Sequence, residues 1–178
     1  DRRTLAETVP WKDAPASGAA TGPRVETQYA YTSHDSDDTV TTEDFRPRTV
    51  STVVFENGGS SGIVTARTFH VYAHRADGRY EQITERAASP SAAYGDSGNL
   101  RTTRVYYPIA PEATGYDAVS AGRLEYIDYP DGTRRTYSYA LDIGSPAAYS
   151  TETATLVTPP QPPGGPRAHT PTVPVHTP

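Results

Sequence analysis

From Val25 onward the chain alternates apolar or β-branched positions with polar ones in short runs, and each run ends at a turn signal. The runs are Val25 to Tyr31, Thr39 to Phe45, Thr49 to Glu56, Val64 to His74, Arg79 to Arg86, Leu100 to Tyr107, Arg123 to Tyr129 and Arg134 to Tyr139. A period of two over stretches this short predicts strands, and the close spacing predicts antiparallel neighbours joined by hairpins. The expected fold is all-β: an antiparallel β-hairpin repeat, laid out as a ribbon or a layered sheet.

The turns carry their own chemistry. Pro130-Asp131-Gly132 is a turn recipe in which proline presets φ, aspartate bonds back to the backbone and glycine accepts a positive φ. Asp77-Gly78 plays the same part between the runs ending at His74 and starting at Tyr80. Around Pro130, Leu124, Tyr126 and Asp128 alternate against Glu125, Ile127 and Tyr129, while Arg135, Tyr137 and Tyr139 share one face of the return arm. Gly98-Asn99-Leu100 leading to Tyr107-Pro108 is echoed 24 residues later by Gly122-Arg123-Leu124 leading to Tyr129-Pro130. Thr27 to Tyr31 is likewise echoed by Arg135 to Tyr139, so the chain reads as an irregular hairpin repeat.

Three segments follow from these changes of pattern. Residues 1–24 are rich in Ala, Gly, Pro and Arg around the single Trp11 and are expected to be irregular; residues 25–157 form the repeat domain. Residues 158–178 hold 8 Pro among Thr and should be an extended, polyproline-like tail. Ordering such a tail costs conformational entropy that only contacts offset, so it is expected to lie against another copy or another part of a larger assembly.

Composition narrows the picture. Leu, Ile, Val and Phe make up only 26 of 178 residues, while 25 Thr and 13 Tyr stand where aliphatics are usual. Such a chain has a thin core and favours half-buried strands. With 17 Pro and 14 Gly, long helices are excluded, and no apolar run reaches the ~18 residues of a membrane helix. The net charge of −5 and a lone Lys12 argue against nucleic acid as a partner. The absence of Cys removes disulfides and thiolate chemistry, and the Tyr- and Thr-rich surface suits an extracellular or cell-surface location. A start at Asp1 rather than Met suggests a piece of something longer. No Asn-x-Ser/Thr acceptor occurs.

Candidate chemistry is sparse. Gly58-Gly59-Ser60-Ser61-Gly62 matches the hydrolase elbow G-x-S-x-G, but a strand-like run follows it where the elbow needs a helix, so a Gly/Ser loop is the better reading. His70, Tyr72 and His74 share a strand face, yet the outer two stand ~13 Å apart at ~3.3 Å per residue, too far for one metal. His34 with Asp35, Asp37 and Asp38 lacks the spacing of a calcium loop and reads as a solvated acidic turn. Asp96 and Asp131 belong to turns. No catalytic residue, metal or cofactor is expected, and the protein is not read as an enzyme. Tyr29, Tyr31, Tyr126, Tyr129, Tyr137 and Tyr139 are the candidate packing or partner-contact aromatics, stacking between strands or against a partner.

Tyr116-Asp117, Gly122-Arg123-Leu124, Tyr129-Pro130-Asp131-Gly132-Thr133 and Tyr137-Ser138-Tyr139, taken in that order, resemble the tyrosine-aspartate (YD) repeat of bacterial Rhs proteins and the related teneurin shells. The pattern covers about residues 116–142, with degraded copies at 94–108, 68–86 and 22–31. The resemblance implies a hairpin ribbon that packs within a larger β shell or fibre, and the family is also connected with carbohydrate and cell-surface binding. The expected function is therefore a non-enzymatic structural module of a secreted or surface protein, with other copies of itself or neighbouring domains as partners. The alternative is a carbohydrate-binding β module with exposed tyrosine platforms.

Overall fold

The computed structural model describes residues 6–10, 23–39, 41, 44–56, 61–142 and 149–157. Nine strands, β1 (Ala6–Pro10), β2 (Arg24–Ala30), β3 (Thr49–Phe55), β4 (Ile63–His74), β5 (Tyr80–Arg86), β6 (Leu100–Tyr106), β7 (Leu124–Asp128), β8 (Arg134–Asp142) and β9 (Tyr149–Val157), follow one another in chain order across a single sheet. Every neighbouring pair is antiparallel. The described residues contain no helix, so none is long and apolar enough to cross a membrane. The fold is all-β, a meander of hairpins.

Three elements differ from the sequence reading. Ala6–Pro10, expected to be irregular, is an edge strand paired with Arg24–Gln28; Pro10, which has no N–H to give, sits at its end, where an edge tolerates it. The run Thr39 to Phe45 is no strand at its described positions. Asp38, just before the run, and Asp44, within it, both bind Arg48. Tyr149–Val157 adds a strand that no turn recipe announced, and its register on β8 begins at Asp142 opposite Tyr149. The Pro/Thr tail 158–178, Trp11 and Gly58 to Ser60 lie outside the described residues.

The core is small and sits on one face of the middle strands. Val71, Ala73 and Ile83 form its centre, Phe69 continues it, and Tyr94 packs over it. These residues meet because register places Val71 opposite Ile83 and Phe69 opposite Glu85, giving them one common face. Among the described residues no second sheet covers that face, and connections do it. His34, from the β2–β3 connection, stacks on Tyr94, from the β5–β6 connection, with ring centroids 5.1 Å apart, and both rings meet Phe69 edge-on.

The β2–β3 connection has a second task. β4 outruns β3, because Thr49 already pairs with Phe69, and His70 to His74 would otherwise present an open edge. The connection supplies partners there: the His70 N–H donates to the Arg48 carbonyl at 2.8 Å and the His74 N–H to the Asp37 carbonyl at 3.4 Å. Arg48, fully buried, fastens the connection. Its Nε and Nη2 donate to both Asp38 carboxylate oxygens at 2.7 and 2.6 Å, Nη2 also to Asp44 at 2.8 Å, and Nη1 to the Arg46 carbonyl at 2.6 Å. A buried guanidinium is tolerable only when satisfied to this degree.

The two Asp-Gly turns are built alike. Gly78 and Gly132 take φ of 86° and 83°, and the Arg79 and Thr133 N–H groups donate to Asp77 and Asp131 side chains at 3.0 and 2.9 Å. In a meander, however, β4–β5 and β7–β8 turns fall at opposite ends of the sheet. The end carrying Gly78 also carries residues 31–48 and 107–123, and Arg79 there binds Glu125 at the head of β7 at 2.6 Å.

Candidate functional site

The face of the sheet opposite Val71 carries an aromatic row. The Asp77-Gly78 turn sets His74 opposite Tyr80, and the next hairpin sets Tyr80 opposite Tyr106. Their rings lie 5.0 and 5.6 Å apart, tilted by 41° and 45°. Cross-strand aromatic neighbours of this kind stiffen a sheet and present a broad, partly apolar surface. Two connections contribute beside the row: Arg46 from the one between β2 and β3, and Tyr107, Ile109 and Gly122 from the one between β6 and β7. Together they enclose an open cleft of about 470 Å³, the size of a small-ligand site.

The polar groups of the cleft are fixed in place. Arg46 Nη1 donates to the Tyr80 hydroxyl at 2.7 Å, and its Nε and Nη2 hold Asp44 at 2.9 Å each. The same guanidinium lies 4.3 Å from the Tyr72 ring centre. Arg46 is thus the hinge between the acidic connection and the aromatic row. Its hydrogen bond keeps the Asp44 carboxyl well below the usual carboxylate range, while burial pushes the Tyr72 and Tyr80 phenols up. Burial, with the Arg48 charge next, pushes the His70 imidazole down. Ile109, lining the cleft, is 69% exposed and offers a ready apolar contact.

None of the tyrosines singled out from sequence lines this cleft. Tyr139 meets Tyr107 edge-on at 6.3 Å, and its hydroxyl donates to the Leu124 carbonyl; the Tyr107 hydroxyl donates to the Tyr137 carbonyl. Tyr126 stacks under the Arg134 guanidinium, and Tyr137 lies near that of Arg135. Tyr29, Tyr31 and Tyr129 are half-buried on the sheet and its margins. Pro130, Asp131 and Gly132 form the expected turn, with Asp131 Oδ1 accepting from both the N–H and the hydroxyl of Thr133. The signal for Tyr80 and Tyr106 was available, since a turn centred on Asp77 forces His74 and Tyr80 to face each other.

No family model, curated protein or solved structure matches this chain. Function must be read from the geometry.

The acids tell a consistent story. The run at Asp35 to Asp38 is solvated only in part: Asp37 stays 48% exposed, but Asp35 and Asp37 bind Arg75, which also pairs with Glu81, and Asp38 is buried against Arg48. Two arginines, Arg75 and Arg48, neutralise it through three ion pairs. Glu85 is 1% exposed and accepts from the Gly95 N–H and the Asn99 amide at 2.6 Å each and from Arg101 at 2.7 Å. Burial alone raises its carboxyl, yet those donors more than offset the effect and leave it below its ordinary value. Asp96 holds its own loop by accepting from the Ala93 N–H. Among the described residues no group of three His, Asp or Glu is arranged to hold a metal.

Proposed function

We propose that this chain is a non-enzymatic structural module of an exported or cell-surface protein, an Rhs/YD-like strip of hairpins that assembles along its sheet edges. The observation that carries this reading is the topology: nine strands in strict chain order in one sheet, whose covered core rests on connections rather than on a second sheet. Such a strip is extensible. Strands β1 and β9 each pair on one side only among the described residues, so each offers a ladder of backbone groups to a further strand. Asp35, Asp38, Glu85 and Asp131 are engaged in ion pairs and turns that hold connections in place, which supports a scaffold role for them.

Particle size tests the proposal directly. The full chain at tens of micromolar should sediment as oligomers, fibres or closed particles, and negative-stain images should show repeating objects; a homogeneous monomer would refute edge-to-edge assembly.

The aromatic cleft favours a second reading, binding of cell-surface carbohydrate. The His74, Tyr80 and Tyr106 rings offer apolar faces, and Arg46 with the tyrosine hydroxyls offers donors for sugar oxygens. A glycan array probed with the wild-type chain and with Tyr106→Ala separates the two readings, since retention lost with the ring supports a sugar site and no retention discards it.

A further inference from the structure

On the other face of the sheet, one arginine is treated unlike its neighbours. Arg24, Arg46, Arg48, Arg75, Arg79, Arg101 and Arg134 each hold a carboxylate. Among the described residues Arg67 pairs with no carboxylate, and it alone has a buried side-chain nitrogen, Nε, with no hydrogen-bond partner. A buried, charged donor left unmade is costly, and such a group is ordinarily found with an anion against it.

The surroundings specify what the anion would look like. Arg67 stands on β4 opposite Ser51 on β3, and both line an open groove of about 640 Å³. Arg67 is the only formally charged residue among the groove's described lining. The same groove is lined by the ring cluster of His34, Phe69 and Tyr94, whose centroids lie 5.1 to 6.0 Å apart. His34 is locked in that cluster by its Nε2, 2.9 Å from the Thr49 hydroxyl oxygen.

We propose that this groove is a binding site for a small carboxylate carrying a flat, apolar ring, with Arg67 and Ser51 receiving the carboxylate and the Phe69–Tyr94–His34 wall receiving the ring. A planar guanidinium presents paired donors that match the two oxygens of a carboxylate. The adjacent aromatic wall rewards an offset-stacked or edge-on ring. The proposal is independent of the assembly reading and of the cleft on the opposite face.

Benzoate is the probe, with acetate supplying the charge alone, benzyl alcohol the ring alone, and inorganic sulfate an anion of different shape. On the full chain, calorimetry or ligand-observed NMR should show saturable one-to-one binding of benzoate, with acetate and benzyl alcohol weaker by about tenfold or more, the scale of one charge-assisted contact. The Arg67 Nε–H resonance of the wild-type protein should move on addition of benzoate, a readout that needs no variant. Arg67→Gln should abolish binding without lowering thermal stability, because it removes an unpaired donor, and Tyr94→Ala should weaken it. Absence of saturable benzoate binding, binding unchanged in Arg67→Gln, or sulfate competing as well as benzoate would each overturn the assignment. Should Arg67→Gln fail to fold, the wild-type resonance decides: a shift supports the site, and no shift at saturating benzoate rejects it.

Discussion

Single side chains with charge carry much of the order in this protein, because aliphatics are scarce. Arg48 is the clearest case: without it, Asp38 is left buried and unpaired and the β2–β3 connection loses its fastening to Asp44. Arg48→Met should cost about 3–5 kcal/mol in denaturant unfolding, the usual penalty for stranding a buried partner. A loss below about 1 kcal/mol would mean that Asp38 finds water instead. The pH dependence has a definite sign. His70 titrates lower when folded than its ordinary 6.5, so protons favour the unfolded chain, and stability should be full above about pH 6.5 and decline below it. Asp35, Asp44 and Glu85 are also depressed, so their contributions persist to lower pH and are lost as acid protonates them in the folded state. Unfolding midpoints against pH, for the wild type and His70→Gln, check this; the decline between pH 6.5 and the carboxylate range should flatten in the variant. Asp38 was visible in sequence only as one of several acids, since nothing nearby in the chain announces that Arg48 will bury it.

Among the elements, the turns were the most legible, because their requirements are local. Asp77-Gly78 and Pro130-Asp131-Gly132 each need a glycine at positive φ and an aspartate bonding to the N–H two residues on, and both appear as read. Strand boundaries nearby were also close. The connections were not legible, and their glycines show why. Gly95 has φ of 87° with open space about a would-be Cβ, so Gly95→Ala should carry only the conformational penalty of about 1–2 kcal/mol. Gly78 has φ of 86°, but its Cβ would also stand 2.6 Å from the Ala113 Cβ of the β6–β7 connection. Gly78→Ala should therefore destabilise clearly more than Gly95→Ala in thermal unfolding; equal losses would show that residues 107–123 move aside freely. The close approach to Ala113 depends on a segment more than thirty residues away in the chain, which no local pattern encodes.

Across the whole molecule, stability rests on a continuous ladder of strands with loops pressed on both faces. A sheet of this kind has little interior, and among the described residues its two outer strands each pair on one side only, which is what the proposed assembly would use. If the Pro/Thr segment 158–178 braces that association, its removal should leave the β-sheet signal in circular dichroism unchanged and reduce particle size in sedimentation. An unchanged sedimentation profile would assign the assembly to the sheet edges alone. The aromatic row of His74, Tyr80 and Tyr106 also belongs to this scale, because it exists only once three strands have aligned.

By itself, the order of residues determined that the described part of this protein is all-β, where its Asp-Gly turns fall, and most of the strands between Val25 and Tyr139, since period, glycine placement and proline frequency act over a few residues. Folding in three dimensions decided the rest: that acids expected in water are clasped by arginines, that connections cover the core face, that a cleft opens between distant connections, and that the Arg67 Nε is buried without a hydrogen-bond partner among the described residues. The reason is physical. Ion pairing and ring stacking join residues far apart along the chain, and their partners are chosen by register and by the paths of connections, neither of which a short window of sequence contains.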